Sequence, residues 1–324
     1  SFIFYLTFAP SKNRKSSMIK SNSLILTAII AATIFIGCTP TKKTTQVKTD
    51  QTIQKQQEAN TAYGSGDFPK ALTLYDEIIE VKKVQNKRVD STIYQNAGVA
   101  AWELKQTDKA IQYLEIAKRY PIATEKTYII LAKAFLAKDN LSKEITNLDT
   151  YITKYPQGQE IKEVQKQLFF AYVRSENWES ASKLWPTFDS KTQNEIKLLT
   201  GYFKVCKKLE YKNQLDKIAS QILKLDANNI DAIEFFAERY YYLAENSYVK
   251  EMKAYQANKT DKQYQQLLAA YKIYFENYRI ARDYFLRLYQ LDPKPRYATF
   301  LGNIFTRYEN KEKADYYYNL AKKK

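Results

Sequence analysis

Between residues 91 and 122 the chain reads STIYQNAGVAAWELKQTDKAIQYLEIAKRYPI, with apolar positions three and four apart. That spacing predicts helices. Tyr94, Ala97, Gly98 and Ala101 share one helical face, and a polar break follows at Lys105 to Asp108. Ala110, Leu114 and Ala117 then line a second helix that ends at Tyr120-Pro121. The same register returns near the C-terminus in Leu301, Gly302, Phe305, Ala314, Tyr318 and Ala321. An earlier copy runs through Ala59, Ala62, Ala71, Tyr75 and Ile78, around a Gly64-Ser65-Gly66-Asp67 turn. Tyr128, Leu131, Ala132, Phe135, Leu148, Tyr151 and Pro156 make another, with Glu144 where a small residue is usual. Leu168, Tyr172, Ala181, Trp185 and Phe188 follow, then the degenerate set Tyr202, Phe203, Cys206, Leu215, Ala219 and Ile222.

One copy is interrupted. Its first helix carries Ile233, Phe236, Ala237 and Tyr240, and its second carries Ala281, Phe285 and Leu288. Between Tyr240 and Ala281 stand 40 residues where the other copies have 8. The insertion is itself helical in pattern. Tyr264, Leu268, Tyr271, Phe275 and Tyr278 step by four, three, four and three, which is coiled-coil-like spacing. Asn258 to Asp261 supplies the turn, with Thr260 or Asp261 as N-cap. The expectation is one elongated helical hairpin at about 241–280, each arm about 24 Å longer than its neighbours.

These repeats resemble the tetratricopeptide repeat, which sets small residues where two helices cross and a proline near the end. The resemblance covers residues 52–323. It implies an all-α, TPR-like α-solenoid of about seven helix-turn-helix repeats, with the elongated hairpin near the C-terminus. In such an array large residues lock against Ala or Gly. Tyr75, Tyr151, Tyr172 and Tyr318 are therefore packing residues, as is Trp178, and Cys206 occupies a core register.

The segment before the repeats has another character. From Met18 a short stretch with Lys20 leads into an apolar run, Leu24 to Ile36, which ends at Phe35-Ile36-Gly37-Cys38. A run of thirteen residues is short for a membrane span and suits a signal peptide. The ending resembles a bacterial lipoprotein lipobox, which implies cleavage before Cys38 and lipidation of that residue. Thr39 rather than Asp follows it, implying an outer-membrane lipoprotein that faces the periplasm. The expected organisation is an upstream non-native extension at 1–17, a lipoprotein signal peptide at 18–37 and a lipid-anchored basic tether at 38–51. The TPR superhelix follows.

Composition narrows the chemistry. Seven glycines and eight prolines in 324 residues suit long helices better than turn-rich sheets. Histidine is absent, and Cys38 and Cys206 lie far apart, so no metal, cofactor or catalytic site is expected. The net charge of +16 favours acidic partners or anionic membrane surfaces. Nucleic acid is a poorer fit, because the basic residues form no recognised module.

First helices line the groove of such an array. Their groove register carries Lys126, Lys133, Lys166, Arg174, Lys197, Lys204, Lys207 and Lys208, then turns acidic at Asp231, Glu234 and Glu238. Trp102 points the same way. The leading expectation is a membrane-anchored envelope scaffold or adaptor that binds protein or peptide partners, acidic ones among them, through its concave groove. Two alternatives stand beside it. One is a carbohydrate-binding accessory lipoprotein using Trp102 and the tyrosine-rich hairpin. The other is a cell-wall-processing one. No carboxylate pair is set in a plausible cleft for it, and Glu234 and Glu238 are merely one helical turn apart.

Overall fold

A single type of turn is repeated along the chain, and it organises everything else. In the computed structural model, residues 43–322 are described, with side chains from residue 51 onward. The proposed signal peptide, Cys38 and the start of the tether lie outside the described residues. The chain divides into units 1–49 and 50–324, and the second holds the helical array. Every regular element among the described residues is helical.

The helices pair in chain order. The first hairpins are α1 (Lys43–Gly64) with α2 (Phe68–Val84), α3 (Ser91–Glu103) with α4 (Thr107–Ala117), and α5 (Glu125–Ala137) with α6 (Leu141–Lys154). Next come α7 (Ile161–Arg174) with α8 (Trp178–Leu184), a 3₁₀ turn at Trp185–Thr187 and the short α9 (Ser190–Gln193). Then follow α10 (Ile196–Lys208) with α11 (Lys212–Leu225), α12 (Ile230–Ala257) with α13 (Asp261–Leu291), and α14 (Pro295–Arg307) with α15 (Lys311–Lys322). Each hairpin packs on the next, giving an all-α solenoid. Two details differ from the sequence reading. Helix α1 begins at Lys43, inside the expected tether. The fourth hairpin's second helix stops at Leu184, short of Trp185 and Phe188, because Pro186 lacks the N–H that would continue it.

The turn within a hairpin does two jobs in a few residues. The amide of Gln106 donates to the carbonyl of Ala101 at 2.8 Å, closing the end of α3. Asn140 to Phe135, Asn177 to Tyr172, Tyr211 to Cys206 and Asn310 to Phe305 repeat that five-residue step. This is the Schellman closure, and it places the preceding residue in the left-handed region. Those residues are Lys105, Asp139, Glu176, Glu210 and Glu309, with φ of 53–60°. In the first hairpin the role falls to Gly66. Several closing residues also open the second helix. Asp67, Asn140, Asn177 and Asn310 accept from backbone N–H groups three residues on.

The core is a string of apolar clusters, each bridging neighbouring hairpins. Small residues decide how closely the helices approach. A methyl group at Gly98 would lie 2.6 Å from Cγ of Leu114, and one at Gly302 2.6 Å from Cε1 of Tyr318. These two pairs occupy the same register, as the repeat spacing predicts. Tyr75, Tyr128, Tyr151 and Tyr297 are fully buried. Their hydroxyls reach polar groups, as when Tyr151 donates to Glu125 at 2.8 Å.

Glu144 departs from the small-residue pattern and is buried all the same. Arg174 compensates by donating to both its carboxylate oxygens at 2.6 Å. Cys206 is fully buried, and burial pushes its thiol up to about 11.

The sixth hairpin is elongated as expected. Helices α12 and α13 have 28 and 31 residues, against 13 and 14 in α10 and α11. Thr260 is the N-cap of α13, accepting from Gln263 N–H at 3.3 Å. The seam between the arms only partly follows the stripe predicted from coiled-coil spacing: Tyr278 is buried in it, and Tyr264 and Tyr271 touch it at its edge, through Tyr255 and Tyr248 of α12 at 5.7 and 6.2 Å. The buried line on α13 is Leu267, Ala270, Tyr274, Tyr278 and Ala281, the last three packed in one cluster with Tyr241 and Ala244 of α12. Tyr264, Leu268 and Tyr271 remain 45%, 41% and 42% exposed. The chain carries two apolar stripes at helical spacing, and periodicity alone does not say which one the partner arm covers.

Candidate functional site

The first helices α5, α7, α10 and α12 carry the charged residues singled out above, and the structure pairs most of them, partly with residues of α3 and α14. Lys126 of α5 reaches Glu103 of α3 at 3.2 Å. Lys166 of α7 meets Glu195, the N-cap of α10, at 2.5 Å. Lys204 of α10 meets Asp231 of α12 at 3.4 Å. Arg296 of α14 holds both Glu234, at 2.7 Å, and Glu238. Arg307 continues the series to Glu245 at 3.1 Å.

The change of sign along the groove register is therefore a ladder. Each rung joins a cation on one first helix to a carboxylate on a neighbouring first helix or its cap. The acidic stretch Asp231, Glu234 and Glu238 is neutralised by this ladder. It does not stand open as the acidic end of a trough. The same Arg296 contacts tie up the only carboxylate pair considered for catalysis.

The remaining candidates fall into two groups. Arg174 is bound to Glu144, and the Lys208 ammonium lies over the Trp178 ring at 5.8 Å. Lys133, Lys197 and Lys207 make no ion pair among the described residues. Lys133 stands seven residues after Lys126 and Lys197 seven before Lys204, so each shares a helical face with a laddered lysine. Trp102 is half-buried and packs against the clusters formed by the first three hairpins, with Tyr63 beside it. Trp178 is likewise packed into the core around α8 and α10.

Sequence reasoning passed over an open concavity of about 800 Å³ between the upper arm of α12 and the last hairpin. Its lining includes Tyr242, Val249, Lys253, Asn303 and the Glu245–Arg307 pair. Only the combined length of α12 and position of α14 creates it, so no local motif announces it. Among the described residues no group of three or more His, Cys, Asp or Glu is placed to hold a metal ion. Among the same residues no helix is long and apolar enough to cross a membrane.

The family model described as tetratricopeptide repeat matches residues 57–122, the first two hairpins. No curated protein matches the chain. Among solved structures, YrrB, described as a TPR protein with an unusual peptide-binding site, is 12% identical with a TM-score of 0.44. That alignment covers 59% of this chain and 95% of YrrB. The C-terminal part of a TPR repeat-containing protein from Cytophaga hutchinsonii is 13% identical with a TM-score of 0.45, covering 82% and 93%. A tetratricopeptide repeat protein from Parabacteroides merdae is 11% identical with a TM-score of 0.39, covering 84% and 92%.

Proposed function

We infer that this chain is a bacterial envelope adaptor, tethered to the outer membrane through Cys38, that holds an acidic protein or peptide segment in the groove of its first helices. The observation that carries the reading is the contrast along one face. Lys126, Lys166 and Lys204 are each satisfied by a carboxylate, whereas Lys133, Lys197 and Lys207 make no ion pair among the described residues. An unpaired lysine on that face can meet an acidic ligand without first giving up an ion pair, and such complementarity steers partners. The apolar run before Cys38 and the net charge of +16 support the anchor and the acidic partner.

Changing Lys133, Lys197 and Lys207 together to Glu should abolish capture of the partner crosslinked in intact envelopes, with helicity unchanged. Retention of every crosslinked partner would end the groove reading. The anchor is tested separately, by labelling cells with radioactive fatty acid. Wild-type protein should take the label, and Cys38→Ala should not.

A further inference from the structure

The fourth hairpin breaks the repeat, and the break leaves a space. Pro186 ends α8 at Leu184, so Trp185 leaves the helical register. Its ring lies flat on Tyr202 of α10, with centroids 4.1 Å apart and planes 3° from parallel. Phe169 and Phe188 hold the indole at 5.7 and 6.0 Å. The short α9 follows where other hairpins continue their second helix. Between α9, α10 and α11 remains a cleft of about 480 Å³, within the roughly 300–1,000 Å³ of small-molecule sites.

The walls of this cleft are rich in carboxamides. Helix α9 contributes Gln193 and Asn194. Asn213, Lys217 and Gln221 step by four along one face of α11, and Gln214 adds a fifth amide. The buried Leu199, Tyr202 and Ile218 form the floor. Lys217 is the one cation among the lining residues, and no carboxylate stands among them.

The fold uses only part of the hydrogen-bonding capacity there. Gln193 Nε2 donates to the Trp185 carbonyl at 3.1 Å, and Gln221 Nε2 donates to Asn194 Oδ1. The carbonyl oxygens of Gln193 and Gln221 stay free. Gln214 Oε1 accepts from the Tyr202 hydroxyl at 3.1 Å, and the amide nitrogen of Gln214 stays free. The side chains of Asn213 and Lys217 make no hydrogen bond among the described residues.

We propose that this cleft binds a neutral saccharide. A sugar hydroxyl both donates and accepts, and each carboxamide offers one group of either kind. Neighbouring amides can therefore pair with neighbouring hydroxyls without burying a charge. The stacked rings and the apolar floor offer a surface to the C–H face of the sugar. Charge argues against other small ligands. A metal ion would need carboxylates, and a phosphate or an acidic peptide would need more than one lysine. The cleft shares no residue with the lysine groove, so the two readings stand or fall separately. An open cleft with few polar contacts should bind with a Kd of about 0.1–5 mM.

Calorimetric titration of the full chain with maltotriose, cellotriose, mannotriose and tri-N-acetylchitotriose should find binding of at least one in that range. The bound trisaccharide should change tryptophan emission, and Trp185→Phe should remove most of that change. Asn213→Ala with Lys217→Ala deletes no contact within the fold. That pair should weaken binding about fivefold or more at unchanged Tm. The chain with Lys133, Lys197 and Lys207 changed to Glu should bind the sugar as wild type does. Failure of all four sugars to bind at about 20 mM would overturn the proposal. So would equal binding of the uncharged tripeptide Gly-Asn-Gly, an emission change that survives Trp185→Phe, or full affinity in the Asn213 and Lys217 variant. Loss of sugar binding in the groove variant would move the ligand to the groove and overturn it too.

Discussion

Gly98 has a task that its sequence neighbourhood half reveals. A Cβ there would press on Cγ and Cδ2 of Leu114 at 2.6 and 2.7 Å and on its backbone nitrogen at 3.2 Å. Leu114 is fully buried and has nowhere to move, so Gly98→Ala should destabilise by about 1–3 kcal/mol in urea denaturation. Gly302→Ala meets only the ring of the half-buried Tyr318 and should cost less.

The Glu144–Arg174 pair is asymmetric in a different way. Glu144 keeps 4% side-chain exposure and Arg174 keeps 44%. Arg174→Ala strands a buried carboxylate and should cost about 3 kcal/mol, whereas Glu144→Ala leaves an arginine that water can reach and should cost less. Asp189 gives the pH dependence. The N–H of Thr192 chiefly, then the Thr192 hydroxyl and Lys162, hold its carboxyl down to about 2, from an ordinary 3.8. A depressed folded value contributes stability above the unfolded pKa, and that contribution disappears as pH falls through the folded one. The Tm difference between wild type and Asp189→Asn should therefore be constant above about pH 5 and shrink progressively as pH falls from there through about 2. A difference unchanged between about pH 5 and about pH 2 would contradict it.

Turns and hairpins were legible to different degrees. The helix pairs, their order and the elongated sixth hairpin followed from apolar spacing, because period 3.6 is imposed by burial of one face. The left-handed turn residue did not. Glycine marks it only at Gly66, whereas Lys105, Asp139, Glu176, Glu210 and Glu309 take the same conformation with ordinary side chains. The fold stores a local cost at each of those turns, since a Cβ in that region costs about 1–2 kcal/mol. Gly66→Ala should thus lower stability by about 1 kcal/mol, and Lys105→Gly and Glu210→Gly should raise it by up to about 1 kcal/mol. Urea midpoints at constant m-value would check the signs. The two stripes on α13 mark another limit of pattern reading. Leu267, Ala270 and Tyr274 and Leu268, Tyr271 and Phe275 are each helical runs of apolar residues, and only the placement of α12 and α14 decides which is core. The groove candidates show a third limit. Residue type placed the lysines on one face, but their carboxylate partners sit 23 to 29 residues away, on a neighbouring first helix or its cap.

At the scale of the whole array, each hairpin touches its neighbours and little else, so stability should be nearly one-dimensional. The last hairpin offers the test. Tyr297, Leu301 and Ile304 of α14 are buried in one cluster with Phe285 and Leu288 of α13, and Arg296 and Arg307 bind the carboxylates of α12. Removing residues 295–324 would bare that apolar face and leave Glu234, Glu238 and Glu245 without their arginines. The hairpin of α12 and α13 should then loosen, because its lower half loses both its apolar cover and its charge partners. The first three hairpins lie several interfaces away and keep every contact in their own clusters. Hydrogen exchange on the truncated chain should show protection lost in α12 and α13 and retained in α2 to α6. Uniform loss along the chain would mean that coupling runs further than nearest neighbours, and the ladder of ion pairs would then be the first structure to examine as its carrier. Exposed pairs of that kind are each worth about 0–1 kcal/mol. A far-reaching effect would therefore need several rungs to act together, and 0.5 M salt, which screens exposed charges beyond a few ångströms, should largely abolish it.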